Sequence, residues 1–407
     1  MENINDVVKA GLCIGCGICT YFDPPGKMVF NKKLDQKIPI NNISHNEKFV
    51  FEICPGKGYN ILEESKSLFN EAKYDLELGY IYNHYAACST DKELLKNASS
   101  GGLMSAIAIY LLENKIVDRV LTTQFKFDSG VNTDCILAKD KADILKSQGS
   151  KYCPVDLSKA INEIKNNKYN VAIIGTPCQL AGIRNIQRLD KEFSRKVIFT
   201  IGNFCGGIKT FKNINLLAKR NGINPNDIDY FRFRGNGQPG SMLIKEISGK
   251  QVEIPYPNYV GLNGLSKHLR CHLCIDATGE LADFSCGDAW LDKFLKHINP
   301  WSVLITRNKK ADDIIKRMID TDLIVTLPIS TEEIKKSQHE NITSKKVRQK
   351  SRFYLYKTFG FRLPNFDGGY YDNNIRIWIE IKVFTKHRIK LLLEQLHLFK
   401  LVYNLIK

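Results

Sequence analysis

Three cysteines near the N-terminus place the tightest constraint on what this chain can form. Cys13, Cys16 and Cys19 follow one another at intervals of three residues, with glycines between them, and the 407-residue chain carries 12 cysteines in all. No secretory signal precedes the first of them, so we expect a cytosolic protein. Because the cytosol keeps thiols reduced, this number of cysteines predicts metal ligation or redox chemistry rather than a disulfide framework.

The N-terminal run resembles half of the bacterial ferredoxin pattern. That pattern is Cys-x2-Cys-x2-Cys-x3-Cys-Pro, and its fourth cysteine ligates the other cluster of a two-cluster protein. Here Asp23 stands at the fourth position, whereas Cys54 is followed by Pro55. We therefore predict a ferredoxin-type domain in residues 1–75 with one [4Fe–4S] cluster. Its predicted ligands are Cys13, Cys16, Cys19 and Cys54. Zinc is the alternative, although zinc sites more often group their ligands as two pairs.

The body of the chain alternates strand and helix patterns, which predicts an α/β fold. We expect a mixed, largely parallel sheet core with flanking helices, preceded by the small iron–sulfur domain and followed by a basic helical tail. Residues 171–174 and 197–201 are short apolar runs, typical of strands buried on both faces. Cys178 follows the first run and Cys205 the second. Because such strand ends meet at one edge of a sheet, we expect both thiols to converge there.

Two glycine-containing turns are candidates for binding a phosphate-bearing cofactor. Residues 99–102, Ser-Ser-Gly-Gly, precede an apolar run that predicts a buried helix, whose free N–H groups and positive dipole end suit a pyrophosphate. A capped core helix after a turn explains the same pattern. Residues 149–152 precede another predicted helix, and Lys151 there either contacts a phosphate or is solvated.

Residues 270–290 carry three more cysteines. Cys271 and Cys274 are spaced to reach one metal centre, and two thiolates alone cannot complete a tetrahedral site. Local proximity favours Cys286 as a co-ligand. His272 either tunes such a centre by hydrogen bonding or is an exposed loop histidine, and Asp288 either orients a substrate or caps a turn.

Several segments together resemble the beta-subunit family of coenzyme F420-reducing hydrogenases and dehydrogenases. They lie in the family order over about residues 85–325 and read SSGGLMSAIA, GSKYCPVDLSKAI, IIGTPCQLAGIR, TIGNFCGG, CHLCIDATGELADFSCGD and PWSVLITR. The resemblance implies an iron–sulfur flavoprotein that binds FAD, exchanges hydride-derived electrons with F420 or a similar donor, and holds a [4Fe–4S] cluster. With the N-terminal cluster, the predicted relay runs from a reduced donor through FAD and the two clusters to a redox partner, or in the reverse direction. The ligands that the resemblance implies for the second cluster are Cys178, Cys205, Cys271 and Cys274. Cys286 then stands outside the set, where a smaller residue is expected.

The resemblance also implies a flavin site and domain limits. The residues implied to bind the cofactor are Ser100, Gly101, Gly102, Gly149, Ser150, Lys151 and Thr176. Residues 76–168 and 169–344 correspond to the N-terminal and C-terminal parts of the family core. The fused N-terminal domain and the C-terminal extension are similar to longer members that often occur beside surface-polysaccharide genes. A structural zinc-binding or interaction protein without redox activity is the alternative function.

Residues 345–407 form a predicted basic extension. From residue 341 to the end, 14 Lys and Arg stand against 4 Asp and Glu, within a formal net charge of +16. The apolar residues that recur at helical spacing are Ile389, Leu392, Leu393, Leu396, Phe399, Tyr403 and Ile406. Basic residues between them predict an amphipathic helix that packs on the body or attaches peripherally to the inner face of an anionic membrane or to a membrane-associated partner. We expect no nucleic-acid binding, because no known nucleic-acid fold signature accompanies the charge.

Overall fold

The computed structural model of the protein describes residues 1–22, 27–40, 47–128, 130–259, 267–371 and 377–395. The strands in these ranges are β1 (Met28–Asn31), β2 (Gln36–Pro39), β3 (Lys73–Asp75), β4 (Gly79–Ile81), β5 (Asn83–Ser89), β6 (Arg119–Lys126), β7 (Asn132–Ala138), β8 (Val171–Gly175), β9 (Val197–Asn203), β10 (Ile228–Arg232), β11 (Ser241–Glu246), β12 (Gln251–Pro255), β13 (Phe284–Asp288), β14 (Ser302–Thr306) and β15 (Ile324–Leu327).

The helices alternate with these strands through most of the chain. The α-helices are α1 (Ile4–Lys9), α2 (Glu47–Glu52), α3 (Ile61–Leu68), α4 (Lys92–Asn97), α5 (Leu103–Glu113), α6 (Lys141–Lys146), α7 (Ser158–Asn166), α8 (Pro177–Leu189), α9 (Lys191–Lys196), α10 (Lys212–Arg220), α11 (Leu269–His272), α12 (Asp292–Leu295), α13 (Lys309–Asp320), α14 (Thr331–Ser337), α15 (His339–Ile342), α16 (Gln349–Thr358) and α17 (Ile377–Gln395). Short 3₁₀ turns cover Ile18–Tyr21, Pro55–Lys57 and Pro225–Asp227, and a π-helix covers Thr343–Val347.

An eight-stranded mixed sheet forms the centre of the body. Its strand order is β15-β5-β14-β13-β9-β8-β6-β7. The four central strands β13, β9, β8 and β6 pair in parallel, and antiparallel strands complete both edges. The predicted α/β class with a mixed sheet is therefore confirmed, with its parallel strands in the middle. The strands β10, β11 and β12 form a separate antiparallel sheet.

Helices cover both faces of the central sheet, as the apolar runs predict. In β8, Ala172 packs into one hydrophobic cluster with α5 and α13, whereas Val171 and Ile173 pack into another with α7 and α8. Successive residues of a strand point to opposite faces, so a strand that is covered twice must be apolar at every position. The predicted buried helix after residues 99–102 is α5, eight of whose side chains are buried.

The N-terminal segment packs on the same face as α7 and α8. Ile18 and Tyr21 join the hydrophobic cluster that contains Ile183 of α8. The approach is close at Gly182, where an added Cβ would lie 2.5 Å from Ile18 and 3.2 Å from Pro55. A glycine in the second turn of α8 therefore lets the N-terminal cysteine segment lie against the helix that begins beside Cys178.

The predicted C-terminal extension packs against the body of the protein from its first residues. Residues 344 and 345 lie inside the π-helix Thr343–Val347, and the following chain packs against the N-terminal segment. Asn365 donates its backbone N–H to the Lys57 carbonyl at 2.7 Å and pairs with Gly58 as an isolated parallel bridge. The extension thus contacts the N-terminal segment and the family core together.

The predicted amphipathic helix corresponds to α17 as far as Gln395, and Ile389 on it is half exposed. Leu396, Phe399, Tyr403 and Ile406 lie outside the described residues, and membrane attachment through this helix stays a prediction. Within the described ranges, no helix has both the length and the apolar composition that crossing a membrane requires.

Candidate functional site

The first set of cysteines, here called the N-terminal quartet, consists of Cys13, Cys16, Cys19 and Cys54. All four line one cavity, together with apolar side chains of α1. Gly15 and Gly17 between them have φ values of 69° and 71°, the left-handed region in which a side chain is strained. An added Cβ on Gly15 would lie 2.8 Å from the Lys37 carbonyl oxygen. These glycines let a short loop direct successive cysteines into a common space.

The thiols of the N-terminal quartet are hard to ionise without a cation. Burial raises the pKa of Cys13 to about 12, although the Gly15 N–H approaches its sulfur at 3.5 Å. Burial also raises the pKa values of Cys16 and Cys19, and repulsion from Cys54 raises them further. A metal centre removes this penalty by replacing the protons of its thiolate ligands. The cavity therefore fits a cationic iron core.

The second set, here called the core quartet, consists of Cys178, Cys205, Cys271 and Cys274. β8 and β9 pair in parallel as predicted, so their ends bring Cys178 and Cys205 to one edge of the sheet. Burial raises the pKa of Cys178 to about 12, and Cys274, Cys271 and Cys205 each raise it further. The four thiols are thus close enough to repel one another when ionised.

Local hydrogen bonds fix the core quartet on three different segments. Thr176 caps α8 through Gln179, and its hydroxyl lies 3.4 Å from the Cys178 sulfur. The Ile208 N–H donates to the Cys271 sulfur at 3.4 Å. Cys205 donates its backbone N–H to the Ala277 carbonyl at 3.0 Å. Thr176 thus lies beside the Cys178 sulfur, and the cofactor-binding role that the resemblance implies for it stays a prediction.

Cationic side chains surround the core quartet. The Lys345 ammonium lies 3.5 Å from the Cys274 sulfur and 2.7 Å from the Asp276 carbonyl oxygen. Burial alone would raise the pKa of Cys274, but Lys345 and Arg270 hold it below its ordinary value. Burial lowers the pKa of Lys267 to about 8, an effect that Cys271 opposes. These charges favour an anionic group, such as a cluster with four thiolate ligands.

The Arg270 guanidinium lies within electrostatic range of thiols from both quartets. Arg270 is 1% exposed, and its Nε and Nη2 atoms donate to the Pro55 carbonyl, next to Cys54, at 3.3 and 2.9 Å. The Nη1 atom is buried and has no hydrogen-bond partner among the described residues. Burial raises the pKa of Cys54, an effect that the Arg270 charge opposes, and the same charge faces the thiols of the core quartet. Arg270 therefore joins the two sites electrostatically as well as by packing.

A single zinc ion and a four-iron cluster require different spacings of their four sulfur ligands. Zinc with four sulfurs at about 2.3 Å would hold them about 3.8 Å from one another. In the described part of the chain, no three His, Cys, Asp or Glu side chains are arranged to hold one metal ion. A four-iron cluster bonds each thiolate to a different iron and so takes more widely spaced ligands.

The two predicted cofactor turns meet in the structure. The Ser150 N–H and hydroxyl contact the Ser99 hydroxyl at 3.3 and 3.1 Å. Ser100 bonds Ser302 of β14 at 2.7 Å, and Gly102 has a φ of 74° directly before α5. At Gly149, an added Cβ would meet only the carbonyl oxygens of Arg234 and Asn97, at 3.9 and 4.0 Å. Both turns therefore border one region.

The Lys151 side chain contacts its own turn, and its predicted contact with a phosphate stays a prediction. It is half-buried, and its ammonium donates to the carbonyls of its own turn, at Ser147, at Gln148 (2.8 Å) and at Gly149 (2.9 Å). Burial lowers its pKa to about 7. The residue thus closes the turn from within rather than projecting into solvent.

Arg234 was not anticipated from the sequence. Its guanidinium pairs with Asp288 at 2.5 Å and donates to the Pro239 carbonyl at 3.0 Å. Its Nη2 atom and the side-chain nitrogen of Gln238 are buried without partners among the described residues. Asp288 therefore pairs with an arginine, and its predicted role toward a substrate stays a prediction. The glycine-rich sequence FRGNGQPG around Arg234 was the available signal.

Two further predictions concern residues of the segment 270–290. His272 is the last residue of α11 and is half-buried, so the prediction of an exposed loop histidine is wrong. The helix begins at Leu269, and the backbone N–H groups of Cys271 and His272 both donate to the His268 carbonyl, at 3.0 and 3.2 Å. Cys286 lies on β13, 5% exposed, within the hydrophobic cluster of α5 and α13. Its surroundings are those of a core side chain.

Comparisons with known proteins identify the family of the chain. Two profiles, for the N-terminal and the C-terminal part, describe the family "Coenzyme F420 hydrogenase/dehydrogenase, beta subunit". The N-terminal profile matches residues 84–162, and the C-terminal profile matches residues 169–332. Together they match more than half of the chain.

Individual relatives agree with the profiles. The coenzyme F420 hydrogenase subunit beta of Methanococcus voltae is 29% identical over 59% of this chain and 82% of its own length, and that of Methanosarcina barkeri is 27% identical over 64% and 86%. The coenzyme F420-dependent sulfite reductase of Methanocaldococcus jannaschii is 25% identical over 76% of this chain, which spans 46% of that longer relative.

A solved structure shares the fold. A chain of the F420-reducing [NiFe] hydrogenase complex from Methanosarcina barkeri superposes with a TM-score of 0.57 at 23% identity, over 72% of this chain and 98% of that one. At this identity the likeness concerns the fold alone. With the profile matches, it leads to one conclusion: this chain belongs to the coenzyme F420 hydrogenase/dehydrogenase beta-subunit family.

Proposed function

We propose that the protein is an iron–sulfur flavoprotein oxidoreductase that moves electrons between a hydride donor of the F420 type and a partner protein. The observation that supports this proposal most directly is the pair of cysteine quartets, both within electrostatic range of the Arg270 guanidinium. Relatives named as F420 hydrogenase subunits and as an F420-dependent sulfite reductase support F420-linked redox chemistry. Because the chain spans less than half of the sulfite reductase, the substrate of that enzyme is not carried over.

The cofactors in this proposal are FAD and two [4Fe–4S] clusters, one in each quartet. FAD exchanges two electrons as hydride and a cluster exchanges one at a time, so together they connect hydride chemistry to single-electron transfer. The N-terminal quartet provides a cavity of thiols beside α1, and the core quartet provides thiols with cations around them. The chain thereby sets the spacing, the shielding from water and the charge at each site.

The flavin is proposed to bind where the turns at residues 99–102 and 149–151 meet. The first turn opens α5, whose initial N–H groups and dipole favour a pyrophosphate. The Arg234 Nη2 atom and the Gln238 side-chain nitrogen supply buried donors whose partners are absent among the described residues. A buried donor without a partner is costly, and a polar cofactor would satisfy it.

Anaerobic purification tests the proposal directly. We expect a brown-yellow protein with about eight irons and eight sulfides per chain, which is the content of two four-iron clusters. Heat extraction should release a fluorescent flavin. A colourless protein with bound zinc would refute the redox assignment and support the structural alternative. On the same preparation, comparing reduction by reduced F420, NAD(P)H and reduced ferredoxin identifies the donor.

A further inference from the structure

We propose that Lys345 is a charge-setting residue of the core quartet, contributed from outside the segment that the family profiles match. The C-terminal profile ends at residue 332, whereas Lys345 lies in the π-helix Thr343–Val347. This inference rests on the proposed function, because it assigns a role toward the cluster of the core quartet. On this proposal, the C-terminal extension contributes a side chain to the redox site.

The position of Lys345 is that of a buried charge directed at sulfur. The side chain is 3% exposed, and its ammonium contacts the Cys274 sulfur at 3.5 Å and the Asp276 carbonyl oxygen at 2.7 Å. The Asp276 carboxylate lies within electrostatic range, but it accepts from the backbone N–H groups of Gly279 and Glu280. The negative charge nearest to the ammonium is therefore that of a thiolate.

The neighbouring lysine provides an internal comparison. Lys346 is also fully buried, but its ammonium forms an ion pair with the buried carboxylate of Glu280. A buried cation is costly unless an anion and hydrogen bonds compensate it. For Lys346 a carboxylate does so, whereas for Lys345 the compensation has to come from the core quartet and the group that it holds.

Further contacts hold this cation in place. Arg352 of α16 donates to the His272 carbonyl at 2.7 Å, which ties the extension to the residues between Cys271 and Cys274. Arg352 also donates to the buried carboxylate of Glu380 at 2.8 Å. These contacts hold the segment that follows Lys345 against the core quartet, and the Asp276 carbonyl holds the buried ammonium itself.

The expected consequence concerns the reduction potential of the core cluster. One-electron reduction adds one negative charge and no proton, and a fixed cation beside a ligand sulfur stabilises the more negative state. Lys345 thus raises the potential. Lys345→Gln retains a donor for the Asp276 carbonyl but removes the charge, so it isolates this effect.

Potentiometric titration of the full-length protein with dithionite, followed by electron paramagnetic resonance, measures the effect. In Lys345→Gln we expect the ratio of reduced to oxidised core cluster at a given potential to fall at least tenfold, which is a shift of about 59 mV for a one-electron couple. Lys345→Arg keeps the positive charge and should therefore keep most of the wild-type reduction potential of the core cluster. The matched control is the double variant Lys346→Met/Glu280→Gln, which removes a buried ion pair without a net change of charge and should leave the potential in place.

The outcomes separate this inference from the function on which it rests. A wild-type protein without a core cluster would overturn both. A wild-type protein with the cluster, and the same potential in Lys345→Gln, would overturn only the role of Lys345. An equal shift of the potential in the Lys346→Met/Glu280→Gln control would also overturn the role of Lys345, because the shift would then come from altered packing and not from the lost charge. If Lys345→Gln folds by circular dichroism but loses only the core cluster, and Lys345→Arg retains it, the role of the charge is upheld.

Discussion

Arg270 offers the sharpest test of how the two quartets are joined. In Arg270→Met the apolar stem is retained and the guanidinium is lost. That group donates twice to the Pro55 carbonyl, at 3.3 and 2.9 Å, and lies 4.9 Å from the centre of the Phe366 ring. A hydrogen bond from a charged donor is worth about 1.5–3 kcal/mol and a buried cation–π contact about 1–2 kcal/mol. The substitution also removes the cost of burying the charge, which offsets part of the lost contacts. The metal-free variant should therefore lose about 2–4 kcal/mol of unfolding free energy relative to the metal-free wild type.

The protein with clusters should lose more than the protein without them. When the thiolates of both quartets are ionised, Arg270 is one of their counter-charges, and at an effective dielectric constant of about 20 this attraction adds on the order of 1–3 kcal/mol. Anaerobic denaturant unfolding of both forms, with and without the substitution, measures the difference.

A second buried arginine serves as the control for this experiment. Arg307 is 0% exposed and donates to backbone carbonyls at Leu78, Tyr80 and Gly279, away from both quartets. Arg307→Met should destabilise the two forms equally. If Arg270→Met also destabilised them equally, the guanidinium would be a packing element only, and its assignment as an electrostatic link between the sites would be refuted.

Two other predictions address the ligand set and the cofactor turn. Cys205→Ser should reduce the iron content from about eight to about four per chain, whereas Cys286→Ser, within the sheet core, should leave it at about eight; equal iron in the two variants would contradict the assigned ligands. Burial lowers the pKa of Lys151 to about 7 from its ordinary value of 10.5, so between these pH values the unfolded chain binds more protons and stability rises with pH. In Lys151→Met, the slope of unfolding free energy against pH should be smaller than in the wild type, by less than about 1.4 kcal/mol per pH unit. Equal slopes in the variant and the wild type would show that Lys151 does not contribute to this pH dependence.

Local patterns in the sequence were enough to predict the secondary-structure elements that position Cys178 and Cys205. The apolar runs predict β8 and β9 because a strand covered on both faces has to be apolar throughout. The mutual proximity of Cys178 and Cys205 follows from parallel pairing. These inferences needed only neighbours along the chain and one rule about sheet edges.

The charged residues of the site could not be predicted in the same way. Lys345, Lys346, Arg348 and Arg352 read as a solvated basic stretch, yet all four make contacts at buried thiols or carboxylates. Their partners lie far away in the sequence, so nothing local distinguishes them from surface lysines and arginines. The buried, unpartnered Nη2 atom of Arg234 could not be predicted for the same reason, because the residues around it come from β13 and from the loop after β10.

The contact between Arg270 and Pro55 also bears on the order of events while the chain is being made. The two residues are 215 positions apart, and at about 5–20 residues per second that interval takes roughly 10–40 s of translation. Throughout this period the N-terminal cysteines are already synthesised while the surface that later covers Cys54 does not exist. Iron delivered early would meet an open N-terminal quartet, whereas the core quartet cannot close until Cys274 and Lys345 have followed. The order of synthesis thus makes the thiols of the N-terminal quartet available before the core quartet and the Lys345 side chain beside it are complete.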